Sequence, residues 1–328
     1  MKAVLLVGGE GTRLRPFTLE LPKPLVPILN LPYLEQFLFY LEQFHIHELI
    51  LLAGYLSEKI LDFCEKVSRT GFTLKYLVEK EPLGTGGAIK NAGEVLTETF
   101  LAFNADVVTS FNLSLLLKFH EDRKAQMTLG LVPVLDPSAF GAADLNPIGQ
   151  IRRFVEKPEK GKSPSNFINA GIYVIEPEVL EQIPEGKKVS LEREIFPKIA
   201  EAGKLYGLKQ ECYWQDMGTL KNYLQIHRDF FNDQIALKVQ EDSAQKEGVF
   251  AGAGAQIDSS AEIGPYVVLG ENCKIEAGVK ISNSVLWKNV VVKEKVHVFN
   301  SIIGGDCVIS EGSIVSSKAV SLSGEVDI

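Results

Sequence analysis

Short apolar runs alternate with amphipathic stretches along the chain through about residue 232. The runs predict buried strands, and the stretches between them repeat apolar positions at the spacing of a helix. Alternating strands and helices are typical of a mostly parallel sheet covered on both faces. We predict strands at Ala3–Val7, Leu49–Leu52, Leu74–Val78, Phe100–Phe103, Met127–Val132, Ile151–Val155 and Gly171–Ile175, and helices near Tyr33–Phe44, Ser57–Phe63 and Gly87–Leu96.

A shorter period replaces this alternation towards the C-terminus. A small or aliphatic residue stands two positions before each member of a series of branched aliphatic residues, and this pairing predicts the stacked turns of a parallel β-helix. An irregular β tail would not keep two registers together. The series recurs every six residues, with two slips of one residue, at Ile257, Ile263, Leu269, Ile275, Ile281, Leu286, Val292, Val298, Ile303, Ile309 and Val315.

The change of pattern divides the chain into two predicted domains. Residues 1–235 are predicted to form the α/β domain, and residues 249–328 the β-helix. The segment between them, residues 236–248, is polar around Gln240–Glu247 and is interpreted as a linker.

Charge and composition limit the classes of function. The formal net charge of −8 on 328 residues would repel nucleic acid and anionic membranes, so neither is an expected partner. The sequence has no signal-peptide pattern and no apolar segment long enough to span a membrane. The four cysteines lack C-x-x-C spacing, which indicates reduced thiols in a cytoplasmic protein.

A glycine-rich loop follows the first predicted strand. Glycines at this position allow backbone N–H groups to approach an anion, and nearby cations add positive charge. The P-loop pattern is absent, and the dinucleotide fingerprint fails because Leu14 replaces its third glycine. A plain turn would not need this density of cations. We therefore predict a phosphate-binding loop built from Gly8, Gly9, Gly11, Thr12, Arg13, Arg15 and Lys23.

Further polar residues follow other predicted strands and helices. Asp106 and Asp216 are candidate ligands of Mg²⁺, although each alone could be a helix cap. Lys157 suits a phosphate, and Glu156 suits sugar hydroxyls. Gly141 and Asn169 could complete a polar pocket or serve as turn residues. The small residues Gly84, Thr85 and Gly86 open a predicted helix, where they could contact a ligand or allow tight packing.

Taken together, these motifs resemble the sugar-phosphate nucleotidyltransferases, also called nucleotide-sugar pyrophosphorylases. The resemblance covers essentially the whole chain and is closest to the mannose-1-phosphate guanylyltransferases. It implies a Rossmann-like nucleotidyltransferase domain followed by a left-handed parallel β-helix. The motifs are G-x-G-T-R-L-x-P at Gly9–Pro16, P-K-P at Pro22–Pro24, P-L-G-T-G-G-A at Pro82–Ala88, Asp106, E-K-P at Glu156–Pro158, N-A-G at Asn169–Gly171 and W-x-D-x-G at Trp214–Gly218.

The resemblance also implies a reaction and a role for each motif. A nucleoside triphosphate and a sugar 1-phosphate would give a nucleotide-sugar and pyrophosphate. Arg13 and Lys23 would be catalytic, and Asp106 and Asp216 would bind Mg²⁺. The nucleotide would contact Gly8, Gly9, Gly11, Thr12, Glu79, Gly84, Thr85 and Gly86, and the sugar phosphate would contact Gly141, Glu156, Lys157 and Asn169. Ala105 departs from the family, which often has glycine or serine before the metal aspartate.

Glu79 stands where thymidylyltransferases of this family carry a glutamine that pairs with the base. An ionised carboxylate only accepts hydrogen bonds, which suits the adjacent N–H donors of guanine. This predicts GTP over UTP. The resemblance, not Glu79, implies mannose 1-phosphate as the acceptor. The alternatives are uridylyl, thymidylyl or adenylyl transfer to glucose 1-phosphate, and a non-catalytic regulatory subunit of the same architecture. Acetyl transfer by the β-helix is disfavoured because His297 is its sole histidine. We expect a homo-oligomer formed through the β-helix.

Overall fold

The computed structural model describes residues 1–67, 71–79, 81–240 and 242–328. Lys80 and Glu241, which lie in segments discussed above, fall outside these ranges. The described chain forms two compact units. Unit 1 contains Met1–Gly9 and Tyr40–Trp214, and unit 2 contains Glu10–Phe39 and Gln215–Ile328.

A nine-stranded mixed sheet is the centre of unit 1. Lys2–Val7 lies in the middle, and its neighbours on both sides run parallel to it. The antiparallel strand Phe167–Ile175 then joins this parallel part to the remaining strands. The order is Ile151–Glu156, Gly141–Leu145, Phe167–Ile175, Phe100–Asn104, Lys2–Val7, Glu48–Ala53 and Thr73–Val78, while Met127–Pro133 pairs with both Phe167–Ile175 and Leu205–Lys209.

Helices accompany this sheet as the alternating pattern predicts. The longer ones are amphipathic, so they bury one apolar face and leave the other polar. One cluster of buried residues joins Val4 and Phe100 of the sheet to Ile89 and Phe196 of two helices. The α-helices that lie wholly in unit 1 are Ser57–Val67, Gly84–Asn91, Leu113–Arg123 and Phe196–Glu201, and Tyr33–Glu42 crosses from one unit to the other.

All seven predicted strands and three predicted helices are confirmed, with ends that differ by a few residues. The sequence did not predict the helix Leu113–Arg123 or the strands Gly141–Leu145 and Leu205–Lys209. No helix in the described ranges is long and apolar enough to cross a membrane.

A β-helix makes up most of unit 2. Its strands form three parallel sheets, and its interior holds the aliphatic series identified in the sequence. The first sheet contains Val249–Ala251, Val267–Leu269, Ser284–Leu286, Ile302–Ile303 and Lys318–Ser321, with Ala244–Lys246 and Gly324–Asp327 as antiparallel edges. The second contains Gln256–Ile257, Lys274–Ile275, Val291–Val292 and Val308–Ile309, and the third contains Glu262–Ile263, Lys280–Ser282, His297–Phe299 and Ile314–Ser316.

The end of the predicted linker is ordered as part of this β-helix. The predicted linker at residues 236–248 includes the strand Ala244–Lys246, which pairs with Val249–Ala251. The backbone of this polar segment thereby covers the edge strand of a sheet, which apolar periodicity alone does not reveal. The predicted domain boundaries themselves stay a prediction.

The two slips in the repeat correspond to coils of 17 residues instead of 18. The first coil is one residue longer than the next ones, because Val249 pairs with Val267 but Val267 pairs with Ser284. Each later coil advances by 17 residues, so one of its three sides has five residues instead of six. The interior positions from Leu269 to Val315 are buried, whereas Ile257 is 43% exposed because its strand begins its sheet.

Asparagine side chains line two corners of these coils. Asn272 donates to Asn289, which donates to Asp306, and Asn283 donates to Asn300, which donates to Ser317. All six residues have positive φ, a conformation that asparagine tolerates better than most residues. At the second corner, Arg228 donates from Nε to Asn283 Oδ1 at 2.5 Å and from Nη2 to Asn300 Oδ1 at 3.0 Å.

Residues 10–39 also belong to unit 2. They include the hairpin of Pro27–Ile28 and Leu31–Pro32, whose turn residues Leu29 and Asn30 both have positive φ. Asn30 Nδ2 donates to Leu269 O at 2.9 Å. The helix Leu220–Phe231 completes the unit.

A buried histidine joins this helix to the hairpin. His227 Nε2 accepts from the Leu29 amide at 3.3 Å, and His227 Nδ1 donates to Tyr223 O at 2.9 Å. These partners assign the neutral tautomer with the proton on Nδ1. Burial lowers the pKa of His227 to about 4, because the imidazolium would lose its hydration.

His227 therefore makes folding sensitive to acid. Below its unfolded pKa of 6.5 the unfolded chain binds a proton that the folded chain excludes, so stability falls as the pH decreases towards about 4. We expect a loss of about 2 kcal/mol between about pH 7 and pH 5, measured by urea unfolding. The variant His227→Gln should have a shallower pH dependence, and His297→Gln, at an exposed site, should match the wild type. Equal slopes for all three proteins would contradict the prediction.

Candidate active site

Arg13 and Asp216 lie together in unit 2. Arg13 follows Gly11 in the short helical turn Thr12–Leu14, and Asp216 ends the strand Trp214–Asp216. Arg13 Nη1 stands 4.0 Å from Asp216 Oδ2, with side-chain exposures of 64% and 12%. The Gly218 amide donates to Asp216 Oδ1 at 2.5 Å and fixes the carboxylate. A largely exposed guanidinium beside a buried carboxylate is an arrangement suited to an anionic ligand.

The glycine loop brings Lys23 to the same unit. Gly11 has φ +62°, and its carbonyl accepts from the Leu14 amide at 2.8 Å and from Thr18 Oγ1 at 2.9 Å. A Cβ atom on Gly11 would stand 3.3 Å from Lys23 Cβ. The loop therefore needs glycine for its conformation, and it places the start of the Lys23 side chain beside it.

Gly8 and Glu79 form a second pair, in unit 1. A Cβ atom on Gly8 would stand 3.3 Å from Glu79 Oε2. Glu79 follows the strand Thr73–Val78, and its amide donates to Ala53 O at 2.8 Å. Its Oε1 atom is buried and has no hydrogen-bond partner among the described residues. Burial raises the pKa of the Glu79 carboxyl, and a backbone hydrogen bond from Leu83 partly opposes this shift.

The glycines of Gly84–Ala88 pack closely against another segment of unit 1. Gly84 has φ +70°, and a Cβ atom there would stand 2.7 Å from Val189 O. The Thr85 hydroxyl donates to Glu192 Oε2 at 2.8 Å and accepts from the Leu191 amide at 2.9 Å. Close packing thus accounts for the small residues here, and their contact with a nucleotide stays a prediction.

Glu156 and Gly141 are adjacent across two antiparallel strands. A Cβ atom on Gly141 would stand 2.7 Å from Glu156 Oε2, so glycine leaves this carboxylate accessible from that side. Burial raises the pKa of Glu156, and the nearby Glu192 carboxylate raises it further. Lys157 is exposed, has φ +50°, and its amide donates to Phe140 O at 3.0 Å.

Asn169 is engaged in a turn of its own strand. Its Oδ1 accepts from the Gly171 amide at 3.0 Å, and its Nδ2 donates to Tyr173 Oη at 2.9 Å. A Cβ atom on Gly171 would stand 2.9 Å from Asn104 Nδ2, so the N-A-G motif also has a packing reason. Asp106 is half-buried in the turn after Phe100–Asn104.

Sequence reasoning missed the role of Glu192 in this region. The sequence predicts a capped helix start at Ser190–Glu194, and Ser190 Oγ does accept from the Arg193 amide at 3.3 Å. The Glu192 carboxylate, however, accepts from both Thr85 and Ser190 and influences the pKa values of Glu156 and Tyr173. The acidic residue two positions after a cap was the available signal, but caps are common and gave no reason to single it out.

Comparisons with known proteins cover both parts of the chain. The family model described as "Nucleotidyl transferase" matches residues 2–233, and the "GMPPB C-terminal domain" model matches residues 246–328. The chain belongs to the nucleotidyl transferase family. It is therefore a nucleotidyltransferase enzyme, and members of this family generally use a divalent metal ion.

Relatives and solved structures agree with this assignment. The chain is 33% identical to "Probable mannose-1-phosphate guanylyltransferase 2" of Oryza sativa subsp. japonica, over 98% of this chain and 90% of the relative. It is 37% identical to "Mannose-1-phosphate guanylyltransferase" of Mycobacterium tuberculosis, over 85% of this chain and 82% of the relative. The structure of HddC from Yersinia pseudotuberculosis, complexed with GMP-PN, is similar with a TM-score of 0.61 at 29% identity, over 70% of this chain and 99% of HddC.

Proposed function

We propose that this enzyme transfers GMP from GTP to mannose 1-phosphate, forming GDP-mannose and releasing pyrophosphate. Relatives that match most of the chain are named mannose-1-phosphate guanylyltransferase. The observation that carries the choice of base is the Glu79 carboxyl, whose Oε2 lies beside Gly8 and whose Oε1 is buried without a hydrogen-bond partner among the described residues. A buried carboxylate oxygen without a donor is costly, and the N1–H and N2–H₂ groups of guanine are donors that would satisfy it.

The phosphate chemistry is assigned to cations of unit 2. A phosphate oxygen of the sugar 1-phosphate attacks the α-phosphorus of GTP, and the bond from that phosphorus to the departing pyrophosphate breaks. The protein contributes chiefly by positioning the reactants and by neutralising charge. Arg13 supplies a planar guanidinium for the leaving pyrophosphate, and Lys23 supplies a point charge near the attacking phosphate. The loop of Gly9, Gly11 and Thr12 offers backbone N–H groups to phosphate oxygens.

Asp106 and Asp216 are the proposed ligands of Mg²⁺. Carboxylate oxygens are the donors that this ion prefers, and one or two of them commonly suffice when substrate phosphates supply others. The Gly218 amide already orients Asp216, which supports this role. The ion, when bound, would neutralise phosphate charge. The described residues contain no group of three or more His, Cys, Asp or Glu that could hold a metal.

The sugar phosphate is assigned to polar residues of unit 1. Lys157 would pair with its phosphate, and Glu156 would accept from sugar hydroxyls on the side that Gly141 leaves open. The Asn169 amide is oriented by Gly171 and Tyr173, which would limit its freedom before the sugar binds. Gly84, Thr85 and Gly86 would contact the nucleoside at the closely packed start of their helix.

The variant Glu79→Gln tests the choice of base. It keeps the shape of the side chain but replaces one acceptor oxygen with an N–H₂ donor, which opposes the donors of guanine. We expect kcat/KM for GTP to fall about 10- to 100-fold, while the ratio of UTP to GTP turnover rises. Pyrophosphate release with GTP, UTP, dTTP and ATP, and with mannose and glucose 1-phosphates, measures both effects. Glu81→Gln, at an exposed acid in the same segment, is the matched control.

A wild-type preference for UTP would disprove the proposed base, and an unchanged profile in Glu79→Gln would disprove the role of Glu79. Stability gives a check that does not depend on turnover. Because the pKa of Glu79 is raised, ionising this buried carboxyl opposes folding as the pH rises through that pKa. Glu79→Gln should therefore weaken the decline of stability with rising pH over that range.

We also propose a cytoplasmic homo-oligomer formed through the β-helix. The described cysteines are all free, and burial raises the pKa values of Cys64 and Cys273 to about 11, which suits unreactive thiols in a reducing compartment. On the β-helix, Val308 and Ile314 expose 61% and 75% of their surface. Apolar side chains of this kind favour contact with a second copy. Light scattering at micromolar concentration tests the assembly, and a monomer would contradict it.

A further inference from the structure

Trp287 of the β-helix is buried between two distant segments of unit 2. Its ring contacts the Phe17 ring with a centroid distance of 4.6 Å and an interplanar angle of 38°. Its Nε1 donates to Tyr223 Oη at 3.0 Å, and this hydroxyl donates to Pro27 O. Trp287 is 8% exposed. We name Phe17, Tyr223 and Trp287 the aromatic junction.

The coils on either side of Trp287 leave room for this junction. The 17-residue advance places Gly270 and Gly304 at the equivalent positions of the neighbouring coils. A Cβ atom on Gly304 would stand 3.2 Å from Phe17 Cε1, closer than carbon atoms normally approach. A side chain on the coil beside Trp287 would therefore compete with Phe17 for its place.

Phe17 connects the junction to the glycine loop. The next residue, Thr18, donates from Oγ1 to Gly11 O at 2.9 Å, and Gly11 O also accepts from the Leu14 amide at 2.8 Å. Arg13 lies between Gly11 and Leu14. Glu20 adds a further contact, because its carboxylate accepts from the Ser323 hydroxyl near the C-terminus. The conformation of the Arg13 turn is thus tied to a segment that rests on the β-helix.

Tyr223 connects the junction to Asp216. The Tyr223 amide donates to Thr219 O at 2.9 Å in the first turn of the helix Leu220–Phe231, and Thr219 caps that helix. Asp216 lies three residues before the cap and accepts from the Gly218 amide. Near the other end of the helix, Arg228 donates hydrogen bonds to the side chains of Asn283 and Asn300. One buried tryptophan thus contacts both of the segments that carry Arg13 and Asp216.

We propose that Trp287 is a positioning residue for catalysis, which sets the placement of Arg13 relative to Asp216 through Phe17 and Tyr223. This inference rests on the proposed function, in which Arg13 and Asp216 act on the reacting phosphates. Small displacements of such groups lower the rate of the chemical step strongly, while contacts that only bind the sugar are unaffected. The β-helix is then part of the catalytic apparatus as well as a surface for assembly.

Kinetics of four full-length variants test the inference. Trp287→Leu removes the ring contact and the Nε1 donor. Trp287→Phe removes the donor but keeps a smaller aromatic ring at the contact. Tyr223→Phe removes the bridging hydroxyl without leaving a large cavity. Phe299→Leu, on an exposed aromatic of the same β-helix, is the control. We expect kcat to fall at least about tenfold in Trp287→Leu and less in Trp287→Phe and Tyr223→Phe, with KM for mannose 1-phosphate within about threefold of wild type.

The order of the Arg13 turn is measured independently of turnover. Trypsin cleaves after Arg13 when the turn opens locally, so we expect cleavage to be at least about tenfold faster in Trp287→Leu than in Phe299→Leu. If Trp287→Leu does not fold, the kcat and the trypsin cleavage rate of Tyr223→Phe test the inference, because this variant retains the ring packing of the aromatic junction.

Wild-type kcat in a folded Tyr223→Phe and Trp287→Leu would overturn the inference, as would equal losses in Phe299→Leu. A rise in KM without a fall in kcat would overturn it too, since that result describes a binding defect. If the wild-type enzyme releases no pyrophosphate with any nucleotide, the proposed function fails, and the trypsin rates alone decide whether Trp287 positions the turn.

Discussion

Replacing Arg13 with alanine should lower kcat about 100- to 1000-fold, the range typical of removing one preorganised donor from a charged transition state. The side chain is 64% exposed, and its contact with Asp216 at 4.0 Å is long, so its removal should leave folding largely intact. Arg13→Lys keeps the charge but loses the planar fork of donors, and we expect it to restore little of the rate. Single-turnover release of pyrophosphate, with thermal unfolding measured alongside, distinguishes chemistry from stability.

Arg15→Ala is the informative comparison for this prediction. Arg15 lies in the same loop and is also exposed, but its Nη2 pairs with Glu10 Oε2 at 3.2 Å. Exposed ion pairs of this kind contribute little to stability, so Arg15→Ala should fold normally. Because Glu10 already balances the Arg15 charge, we expect kcat to fall less than about fivefold. Equal losses for Arg13→Ala and Arg15→Ala would mean that the loop acts through its overall charge, and the specific role of Arg13 would be disproved.

Gly218→Ala should cost about 100-fold in kcat for a steric reason. The added Cβ would stand 2.5 Å from Asp216 Oδ1 and 2.6 Å from Arg13 Nη2, so both groups must move. A displacement of about 1 Å is enough for a loss of this size. Because Asp216 is a proposed Mg²⁺ ligand, the Mg²⁺ concentration needed for half-maximal rate should also rise.

Gly93→Ala is the matched control for the steric argument. Among the described residues, its Cβ would meet Leu180 Cδ1 at 3.8 Å, an ordinary contact distance. We expect wild-type kinetics and a wild-type Mg²⁺ requirement. Retention of full activity in Gly218→Ala would show that the rate does not depend on the present placement of Arg13 and Asp216.

Local patterns predicted most of the elements, because strands and repeats leave periodic signals in neighbouring residues. The slips at Leu286 and Ile303 already indicated coils of 17 residues, because each slip marks a side of five residues instead of six. The missed strands Gly141–Leu145 and Leu205–Lys209 contain glycine and polar residues that weaken the apolar pattern.

Long-range side-chain contacts could not be predicted in the same way. The sequence placed the glycine loop in the N-terminal domain, and nothing in its spacing indicated that Phe17 meets Trp287 or that Arg228 meets Asn283. Candidate site residues were found where motifs were dense. The environment of Glu192, by contrast, depends on Thr85, more than a hundred residues away. Such pairs follow from the tertiary fold, which periodicity does not encode.

The 17-residue advance of the later coils restricts how this protein can change in length. One residue inserted within a strand between Val267 and Val315 would place the asparagine pairs that span it out of line, and it would turn the interior aliphatic residue of that strand outward. Duplication of a whole coil would preserve all these relations. Natural relatives should therefore differ within this region by complete turns or by loops that bulge from the corners, while single-residue gaps should be confined to the side that already has five residues instead of six.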